Sequence, residues 1–393
     1  MTNAPALADS LTFLSSRFIA KGGTLMDKTY LFPAGTLAET ARDVLLAAGS
    51  PPEEAALVAD RLLTANLAGH DSHGIIRLHQ YMDMQRAGTL KPGRKAEFLK
   101  DNGSTAVLTG HRGFGQTIAN EAMKIAIQRA KEHNLAAIGV TDLNHLGRLA
   151  DYVILAARQD MVAMMWTSTG GFSRLVAPFG AFERRMSTNP FAAAFPSDRP
   201  APVVLDFASS AYAEGKFRVM RDAGAHMPPN VLLDKDGRPS TDPNDLYAGG
   251  AIRPLGGEQG YKGYLLNFLV EVLSGILTGG GYLGKETNPL LNNCSLMVLL
   301  NVAAYRSLPD FKRELDALIA YLKGAHSSPG DRVLAPGEKE ARIEAERSAK
   351  GIPLAAATVA GLQWELDHFK IPRTLLKLGT ESAEQAWNFG QHA

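Results

Sequence analysis

The chain has 393 residues, of which 45% are hydrophobic and 21% are charged, and this composition excludes a disordered or fibrous protein. Lys and Arg (41) nearly balance Asp and Glu (40), and no basic stretch is interleaved with aromatic residues, so a nucleic-acid-binding protein is excluded. At this length, we expect two or three packed subdomains rather than a single core.

Cysteine content and hydropathy bear on the compartment. Cys294 is the only cysteine, so no internal disulfide can form, and we expect a reducing compartment, namely the cytoplasm. The longest apolar run, Tyr264 to Leu277, is interrupted by polar residues and is shorter than the roughly 18 residues that cross a bilayer. We therefore expect no membrane segment and interpret this run as a buried helix.

The first part of the chain predicts a helical unit over residues 36–104, preceded by an extension over residues 1–35. Thr36 and Glu39 have the spacing of a capping box, which predicts a helix start at Thr36. Pro52 opens a second helix, because proline is favoured at the first helical position. The predicted helices are Thr36 to Gly49, Pro52 to Gly69 and Ile75 to Arg86.

From Thr105 onwards, strands alternate with helices, which predicts an α/β core over residues 105–354, followed by a C-terminal segment over 355–393. The predicted strands are 105–108, 136–141, 162–167, 203–205 and 295–300. The predicted helices are 117–131, 149–159, 261–277, 311–322 and 338–350.

Glycine-rich segments raise the question of a nucleotide site. Gly279, Gly281 and Gly284 match the G-x-G-x-x-G pattern, but they follow a long helix instead of a strand, so a helix-ending loop is the better interpretation. The segment Gly256 to Gly263 leads directly into a helix start, where free N–H groups and Lys262 could hold an anion. A flexible loop with a surface lysine is the alternative.

Histidines supply the strongest chemical signal, in the turn His70-Asp71-Ser72-His73-Gly74. An imidazole titrates near neutral pH and can exchange a proton with a carbonyl oxygen, and Ser72 places a hydroxyl beside His73. Helix capping by His70 and Ser72 is the structural alternative. A metal site at His70 and His73 is a further alternative, although the flanking glycines argue against the continuous helix that such sites usually use.

Two other residues can complete such a site. His145 directly follows the strand predicted over 136–141, at the strand end where α/β sheets tend to carry ligands. Arg77 lies one helical turn after His73, so its guanidinium could grip a substrate carboxylate, unless it is a solvated surface arginine.

Together these motifs resemble the malate/L-lactate dehydrogenase family that lacks a Rossmann fold, over roughly Thr36 to Leu354. Within the family, the chain looks most similar to hydroxycarboxylate dehydrogenases. The matching stretches are Ala68 to Gly74, Gly113 to Gln116, Asn144 to Gly147, Ala177 to Gly180, Ser187 to Phe191, Leu205 to Ala208, Glu214 to Lys216, Gly260 to Tyr264 and Pro336 to Glu338.

The resemblance implies a fold and a set of site residues. It implies a non-Rossmann α/β fold, a homodimer, and a NAD or NADP cofactor lying on a largely antiparallel sheet packed with helices. Ser72, His73 and His145 would be catalytic, and which histidine is the proton donor stays open. The implied substrate-binding residues are Arg77, Thr188 and Asn189. The implied cofactor-binding residues are Leu146, Gly147, Val204, Leu205, Asp206, Phe207, Ala208, Tyr261, Lys262, Pro336, Gly337 and Glu338, with no metal.

The predicted activity is therefore interconversion of a small 2-oxo acid and its 2-hydroxy acid, with reduction of a cyclic imine such as pyrroline- or piperideine-2-carboxylate as the alternative. The motifs do not separate C=O from C=N reduction. They also leave the choice between NAD and NADP open, although Arg174, Arg184 and Arg185 could accept a 2′-phosphate. A metal-dependent hydrolase and a non-catalytic binding protein are the rival classes.

Overall fold

The computed structural model describes residues 28–171, 173–222, 224–284, 292–328 and 331–382, and it confirms the α/β class. The described strands are β1 Thr29–Phe32, β2 Glu97–Asp101, β3 Thr105–Thr109, β4 Leu135–Leu143, β5 Met161–Ser168, β6 Pro190–Phe195, β7 Val203–Ala208, β8 Leu232–Leu233, β9 Pro239–Ser240, β10 Ala251–Ile252, β11 Asn293–Asn301, β12 Ile352–Ala355 and β13 Thr380–Ser382. The described helices are α1 Ala34–Ala47, α2 Pro52–Leu67, α3 Arg77–Arg86, α4 Gly115–His133, α5 Ala150–Ala157, α6 Glu214–Asp222, α7 Asn244–Tyr247, α8 Tyr261–Val270, α9 Leu308–Lys323, α10 Glu338–Lys350 and α11 Ala356–His368.

A seven-stranded sheet in the order β2-β3-β4-β11-β5-β6-β7 forms the centre of the fold. Only β3 and β4 pair in parallel, since α4 crosses between them, and the other neighbouring strands of this sheet pair antiparallel. Helices α4 and α5 cover the sheet and bury Ile118, Met123 and Tyr152 against it. The sheet is thus largely antiparallel.

A second hydrophobic core joins the two ends of the described chain. Strand β1 pairs with β12 and β13, and helices α1, α2, α3 and α11 bury Phe32, Leu62 and Leu366 in one cluster. This packing differs from the predicted division of the chain, because β1 falls inside the predicted extension and β2 belongs to the main sheet. A third, smaller cluster around Phe217 and Leu232 lies among α6, α7 and the sheet β10-β8-β9.

The predicted capping box at Thr36 is wrong. Helix α1 begins at Ala34 after Pro33, whose φ of −57° directs the chain into the helix two residues earlier. Thr36 therefore lies inside the first turn, and its carbonyl oxygen accepts a hydrogen bond from the Thr40 hydroxyl at 2.7 Å.

The predicted burial of the apolar helix over 261–277 is also wrong. A helix is present here, as predicted, since α8 continues as a π-helical segment over Glu271–Ile276. Much of the apolar surface of α8 and this segment nevertheless faces outward. Leu265 and Phe268 are each 57% exposed and Leu277 is 64% exposed. No helix in the part of the chain that the structure describes is both long and apolar enough to span a membrane.

Candidate active site

The histidine turn connects α2 to α3 as a single 3-10 turn over Asp71–His73. Its tight path depends on Asn66 at the end of α2, whose Oδ1 accepts a hydrogen bond from the Ile75 backbone N–H at 2.7 Å. The Asn66 amide fills the space that a Cβ on Gly74 would need, so only glycine fits at this position. Local sequence thus bends the chain and turns Ser72 and His73 away from α2.

His73 and His145 form the centre of the candidate site. Their rings are stacked with centroids 5.3 Å apart and planes inclined by 26°. Ser72 Oγ lies 2.9 Å from Nδ1 of His73. His145 directly follows β4 of the main sheet, as predicted, whereas His73 comes from the helical unit. The site therefore lies where the two units meet.

Two polar residues that sequence reasoning missed hold the His145 ring. The Tyr81 hydroxyl is 2.8 Å from His145 Nδ1, and Gln116 Nε2 donates a hydrogen bond to that hydroxyl at 2.7 Å. Tyr81 is 1% exposed and Gln116 is fully buried. A signal was present in the sequence, because Tyr81 lies one helical turn after Arg77 and therefore shares its face of α3.

Arg77 is partly buried and has fixed partners, unlike a solvated arginine. Its Nε donates to the Ser72 carbonyl at 2.6 Å, and one terminal nitrogen donates to Gln80 Oε1 at 2.6 Å. Burial lowers the pKa of Arg77, and the nearby positive charge of Arg218 lowers it further. These bonds orient the guanidinium beside the two imidazoles.

The electrostatic environment favours neutral imidazoles. Burial, assisted by the positive charge of Arg77, lowers the pKa of His73 to about 3. The same two causes, in the same order, hold the pKa of His145 well below its usual value. At neutral pH, both rings are therefore uncharged in this structure.

The residues predicted to bind a cofactor lie in several places around the site. Leu146 is buried and its carbonyl accepts a bond from the Tyr152 hydroxyl, while Gly147 has a φ of 74° that favours glycine. Asp206 Oδ2 accepts the Ala150 backbone N–H at 2.8 Å, and burial raises the Asp206 pKa. These residues place the start of α5 against β7.

A second predicted cofactor segment packs against the start of the same strand. Gly337 has a φ of 84°, and a Cβ on it would collide with the Pro202 carbonyl just before β7 and crowd the Val204 side chain. Glu338 begins α10 and pairs with Lys323 at 2.7 Å. The turn over 336–338 therefore packs against the start of β7, the strand that carries Leu205, Phe207 and Ala208, and Phe207 is 39% exposed.

The other predicted residues lie elsewhere. Asn189 is buried, and its amide nitrogen donates to Asn267 Oδ1 at 2.9 Å and to Glu271 Oε2 at 2.8 Å. The carbonyl of Thr188 accepts the Ser209 hydroxyl at 2.9 Å. At the start of α8, the Lys262 Nζ lies 5.8 Å from the centre of the exposed Tyr261 ring. The substrate role of Thr188 and Asn189 and the cofactor role of Tyr261 and Lys262 stay predictions.

The two histidines of the signature turn have separate partners. His70 Nε2 faces Glu340 Oε1 at 3.7 Å, whereas His73 stacks on His145. Among the described residues, no group of three or more His, Cys, Asp or Glu side chains is placed to hold a metal ion. The acid–base role of the turn stays a prediction.

Comparison with known proteins agrees with this fold. Residues 32–363 match the family model for malate/L-lactate dehydrogenase. The chain is 35% identical to hydroxycarboxylate dehydrogenase B of Escherichia coli O157:H7 over 340 residues, which cover 85% of this chain and 92% of the relative.

Two solved structures are similar across the whole fold. Malate dehydrogenase from Entamoeba histolytica superposes with a TM-score of 0.83 and 30% identity, covering 88% of this chain and 99% of that one. The delta1-piperideine-2-carboxylate reductase from Pseudomonas syringae pvar. tomato superposes with a TM-score of 0.74 and 25% identity, covering 85% and 99%.

The fold and the comparisons indicate an oxidoreductase of the 2-hydroxy acid dehydrogenase type. The chain belongs to the malate/L-lactate dehydrogenase family.

Proposed function

We propose that this protein is a NAD- or NADP-dependent dehydrogenase that interconverts a small 2-oxo acid and its 2-hydroxy acid. The observation that carries the proposal is the grouping of His73, His145 and Arg77: two partly buried, neutral imidazoles beside a cation held by hydrogen bonds. The cation suits the carboxylate common to all 2-oxo acids, and an imidazole suits proton exchange at the neighbouring oxygen.

The residues present fit a nicotinamide dinucleotide. The open surface of β7 offers apolar contact at Phe207, and the turn at Gly337 brings the N-terminus of α10 against the start of β7, where helix N–H groups favour a phosphate. We assign cofactor binding to Leu146, Gly147, 204–208, Tyr261, Lys262 and 336–338. When bound, the dihydronicotinamide supplies the hydride that the carbonyl carbon receives.

We assign different roles to the two histidines. With Gln116 Nε2 facing the Tyr81 hydroxyl, the tyrosine hydrogen is directed at His145 Nδ1, so the neutral His145 ring carries its proton on Nε2. Protonating His145 would require Tyr81 to give up this bond. Within the described ranges, the hydrogen-bond partner of His73 Nδ1 is the Ser72 hydroxyl, which can donate or accept. His73 is therefore the proposed acid and base, and His145 donates a hydrogen bond to the substrate oxygen.

Arg77 binds the substrate carboxylate and thereby orients the carbonyl group. In reduction, protonated His73 passes its proton to the carbonyl oxygen as the carbon gains hydride, which produces the hydroxyl group. In oxidation, neutral His73 takes the hydroxyl proton. Because the carboxylate offsets the Arg77 charge that lowers the ring pKa, anion binding itself favours the protonated state that reduction needs.

Reduction of a cyclic imine carboxylate is the second candidate. The fold is similar to that of delta1-piperideine-2-carboxylate reductase, and the carboxylate beside a C=N bond would meet Arg77 in the same way. The proposed cofactor is NAD or NADP. Of the arginines that could accept a 2′-phosphate, Arg184 donates to the Leu246 carbonyl and Arg185 pairs with Glu183, so these two arginines give no preference for NADP.

We also propose a homodimer, supported by the exposed apolar face of α8 and its π-helical extension. This face consists of Tyr261, Leu265, Phe268, Leu269, Ile276 and Leu277, and each of these side chains is at least 41% exposed. A contiguous apolar surface of this kind is typical of a protein–protein interface.

A substrate panel tests the function. The 2-oxo forms of malate, lactate and sulfolactate, together with pyrroline- and piperideine-2-carboxylate, are assayed with NADH and NADPH by absorbance at the nicotinamide band. The three 2-hydroxy acids are assayed in the same way with NAD⁺ and NADP⁺. The expected result is turnover of at least one 2-oxo acid, with higher kcat/KM than any imine. Turnover of imines alone would replace the first candidate by the second, and failure to bind either cofactor would refute both.

A further inference from the structure

One face of α10 lies against the histidine turn, although α10 follows it by more than half the chain. Glu340, Ile343 and Arg347 are spaced three and four residues apart, so they share one side of the helix. Glu340 faces His70 at 3.7 Å, and the Ile343 side chain occupies the space beside Gly69 where a Cβ would collide with it. Arg347 completes this face at the centre of the turn.

Arg347 and Asp71 form a bidentate ion pair. One terminal nitrogen of Arg347 donates to Asp71 Oδ1 at 2.7 Å and the other donates to Oδ2 at 3.0 Å. The side chains are 14% and 5% exposed, respectively, so little solvent screens the pair. The first nitrogen also donates to the Asn66 carbonyl at the end of α2.

The position of Asp71 determines that of its neighbours. Besides Arg347, the Asp71 carboxylate accepts a bond from Asn66 Nδ2 at 2.6 Å, so it is held from both sides. Ser72 follows directly, with its hydroxyl on His73 and its carbonyl accepting from Arg77. A shift of Asp71 would therefore displace both the proposed acid and the proposed carboxylate-binding residue.

We propose that Arg347 is a positioning residue, which acts through Asp71 to hold Ser72, His73 and Arg77 in register with His145. This inference rests on the proposed function for the roles of His73 and Arg77. In this proposal, Asp71 fixes the conformation of the histidine turn, and Arg347 on α10 contributes to the site through Asp71.

Arginine is required because the planar guanidinium matches both carboxylate oxygens and still reaches the Asn66 carbonyl. A lysine keeps the charge but has a single nitrogen and no planar fork, so it holds the carboxylate in a less defined orientation. The two substitutions therefore separate charge from geometry.

The test compares Arg347→Met and Arg347→Lys with Arg342→Met, which removes an exposed arginine from the same helix. For each variant, kcat and KM for the 2-oxo acid are determined per folded protein, together with the Kd for NADH or NADPH and the Tm. Arg347→Met is expected to lose about 10²-fold in kcat/KM, with KM raised, because misplacement of about 1 Å has effects of that size. The kcat/KM of Arg347→Lys should lie between the values for Arg347→Met and the wild type. The Kd for the cofactor should change little in either variant.

Chemical rescue adds a readout that a purely structural role would not move. Low, non-denaturing guanidinium chloride should restore part of the kcat of Arg347→Met, whereas sodium chloride at equal ionic strength should not. Normal kcat and KM per folded protein in Arg347→Met, with only a lower Tm, would overturn the inference. If Arg347→Met does not fold, Arg347→Lys is the test, and normal kcat and KM per folded protein in that variant would overturn the inference.

A measurement without substrate separates this inference from the proposed function. Ring Cε1–Hε1 NMR signals of His73 and His145, assigned with His→Gln variants, should shift in Arg347→Met and stay unchanged in Arg342→Met. Shifted signals in a protein that turns over no 2-oxo acid would leave the positioning role intact and refute only the function. Unshifted signals would refute the positioning role even in an active enzyme.

Discussion

The Tyr81 hydroxyl lies 2.8 Å from Nδ1 of His145 and links α3 of the helical unit to the end of β4 in the main sheet. The same hydroxyl accepts a bond from Gln116 at the start of α4. Burial raises the Tyr81 pKa to about 12, so the tyrosine remains a hydrogen-bond donor at neutral pH. The His145 ring is therefore held by groups from two separate elements.

Replacing Tyr81 with phenylalanine should reduce kcat by about fivefold, because one hydrogen bond worth about 1 kcal/mol no longer orients His145. Steady-state kinetics measures this, and circular dichroism checks the fold. Tyr321→Phe, at a tyrosine that is 80% exposed, is the matched control. Unchanged kcat in Tyr81→Phe would contradict a role for the Tyr81–His145 bond.

Glutamine substitutions at His73 and His145 should have different effects on kcat, whereas alanine substitutions should have similar ones. Alanine at either position is expected to lower kcat by about 10²–10⁴, the usual range for a proton donor or an orienting partner. Glutamine should restore some activity at position 145, because its amide N–H can replace the Nε2 donor, but none at position 73, where a titrating group is needed. The control is His326→Gln at an exposed position. Equal recovery at both positions would refute the division of roles.

Binding of an oxo-acid anion should take up protons. Both rings are neutral at pH 7 because burial and Arg77 lower their pKa values, and an anion at Arg77 raises those values toward normal. Calorimetry with an unreactive analogue such as oxamate, in buffers of different ionisation enthalpy, should give uptake of about one proton or less per site. His73→Ala should abolish most of it. A binding enthalpy that is independent of buffer would argue against the mechanism.

Glu365 on α11 should be essential for stability. Its side chain is fully buried, and it accepts hydrogen bonds from Arg86 at 2.9 and 2.8 Å and contacts His79, so it joins α11 to α3. Glu365→Gln should lower the free energy of unfolding by about 1.5–3 kcal/mol, because the charged hydrogen bonds to Arg86 are weakened, while Arg86 is 31% exposed and keeps its pair with Asp83. Urea unfolding measures this, with exposed Glu344→Gln as control. An equal effect of both substitutions would contradict the prediction.

The same carboxylate predicts the direction of a pH effect. Burial by itself raises the Glu365 pKa, but hydrogen bonds from Arg86 and His79 outweigh it and hold the pKa below its usual value of 4.5. The folded state thus binds the proton less tightly than the unfolded state, so this contribution is complete above the unfolded pKa and disappears as the pH falls through the folded pKa. Between pH 7 and pH 4, the wild type should therefore lose more stability than Glu365→Gln.

The apolar face of α8 should be needed for dimerisation. Phe268→Glu places a charge at the centre of that face and should produce a monomer in light scattering at micromolar concentration. Tyr321→Glu changes a more exposed aromatic residue on α9 and should leave the oligomeric mass unchanged. A wild-type monomer, or a Phe268→Glu dimer, would exclude this face as the interface.

Much of the fold could be predicted from sequence, since periodicity and turn residues are local properties. The helix over 338–350 and the strands around 136–141 and 295–300 were predicted within two residues of their observed bounds. The sequence also predicted that His145 follows this strand, β4. The capping box failed because Pro33, outside the four-residue pattern, directs the chain into the helix earlier.

The sequence by itself determined the signature turn, the family and the residue types of the site, because short glycine-flanked motifs encode them. Only the tertiary structure decided that Tyr81 and Gln116 orient His145, that Arg347 holds Asp71, and that the apolar helix faces outward. Each of these relationships joins segments far apart in the chain or depends on which side of an element packs inward. Such contacts follow from how elements pack, and local sequence patterns carry no information about that packing.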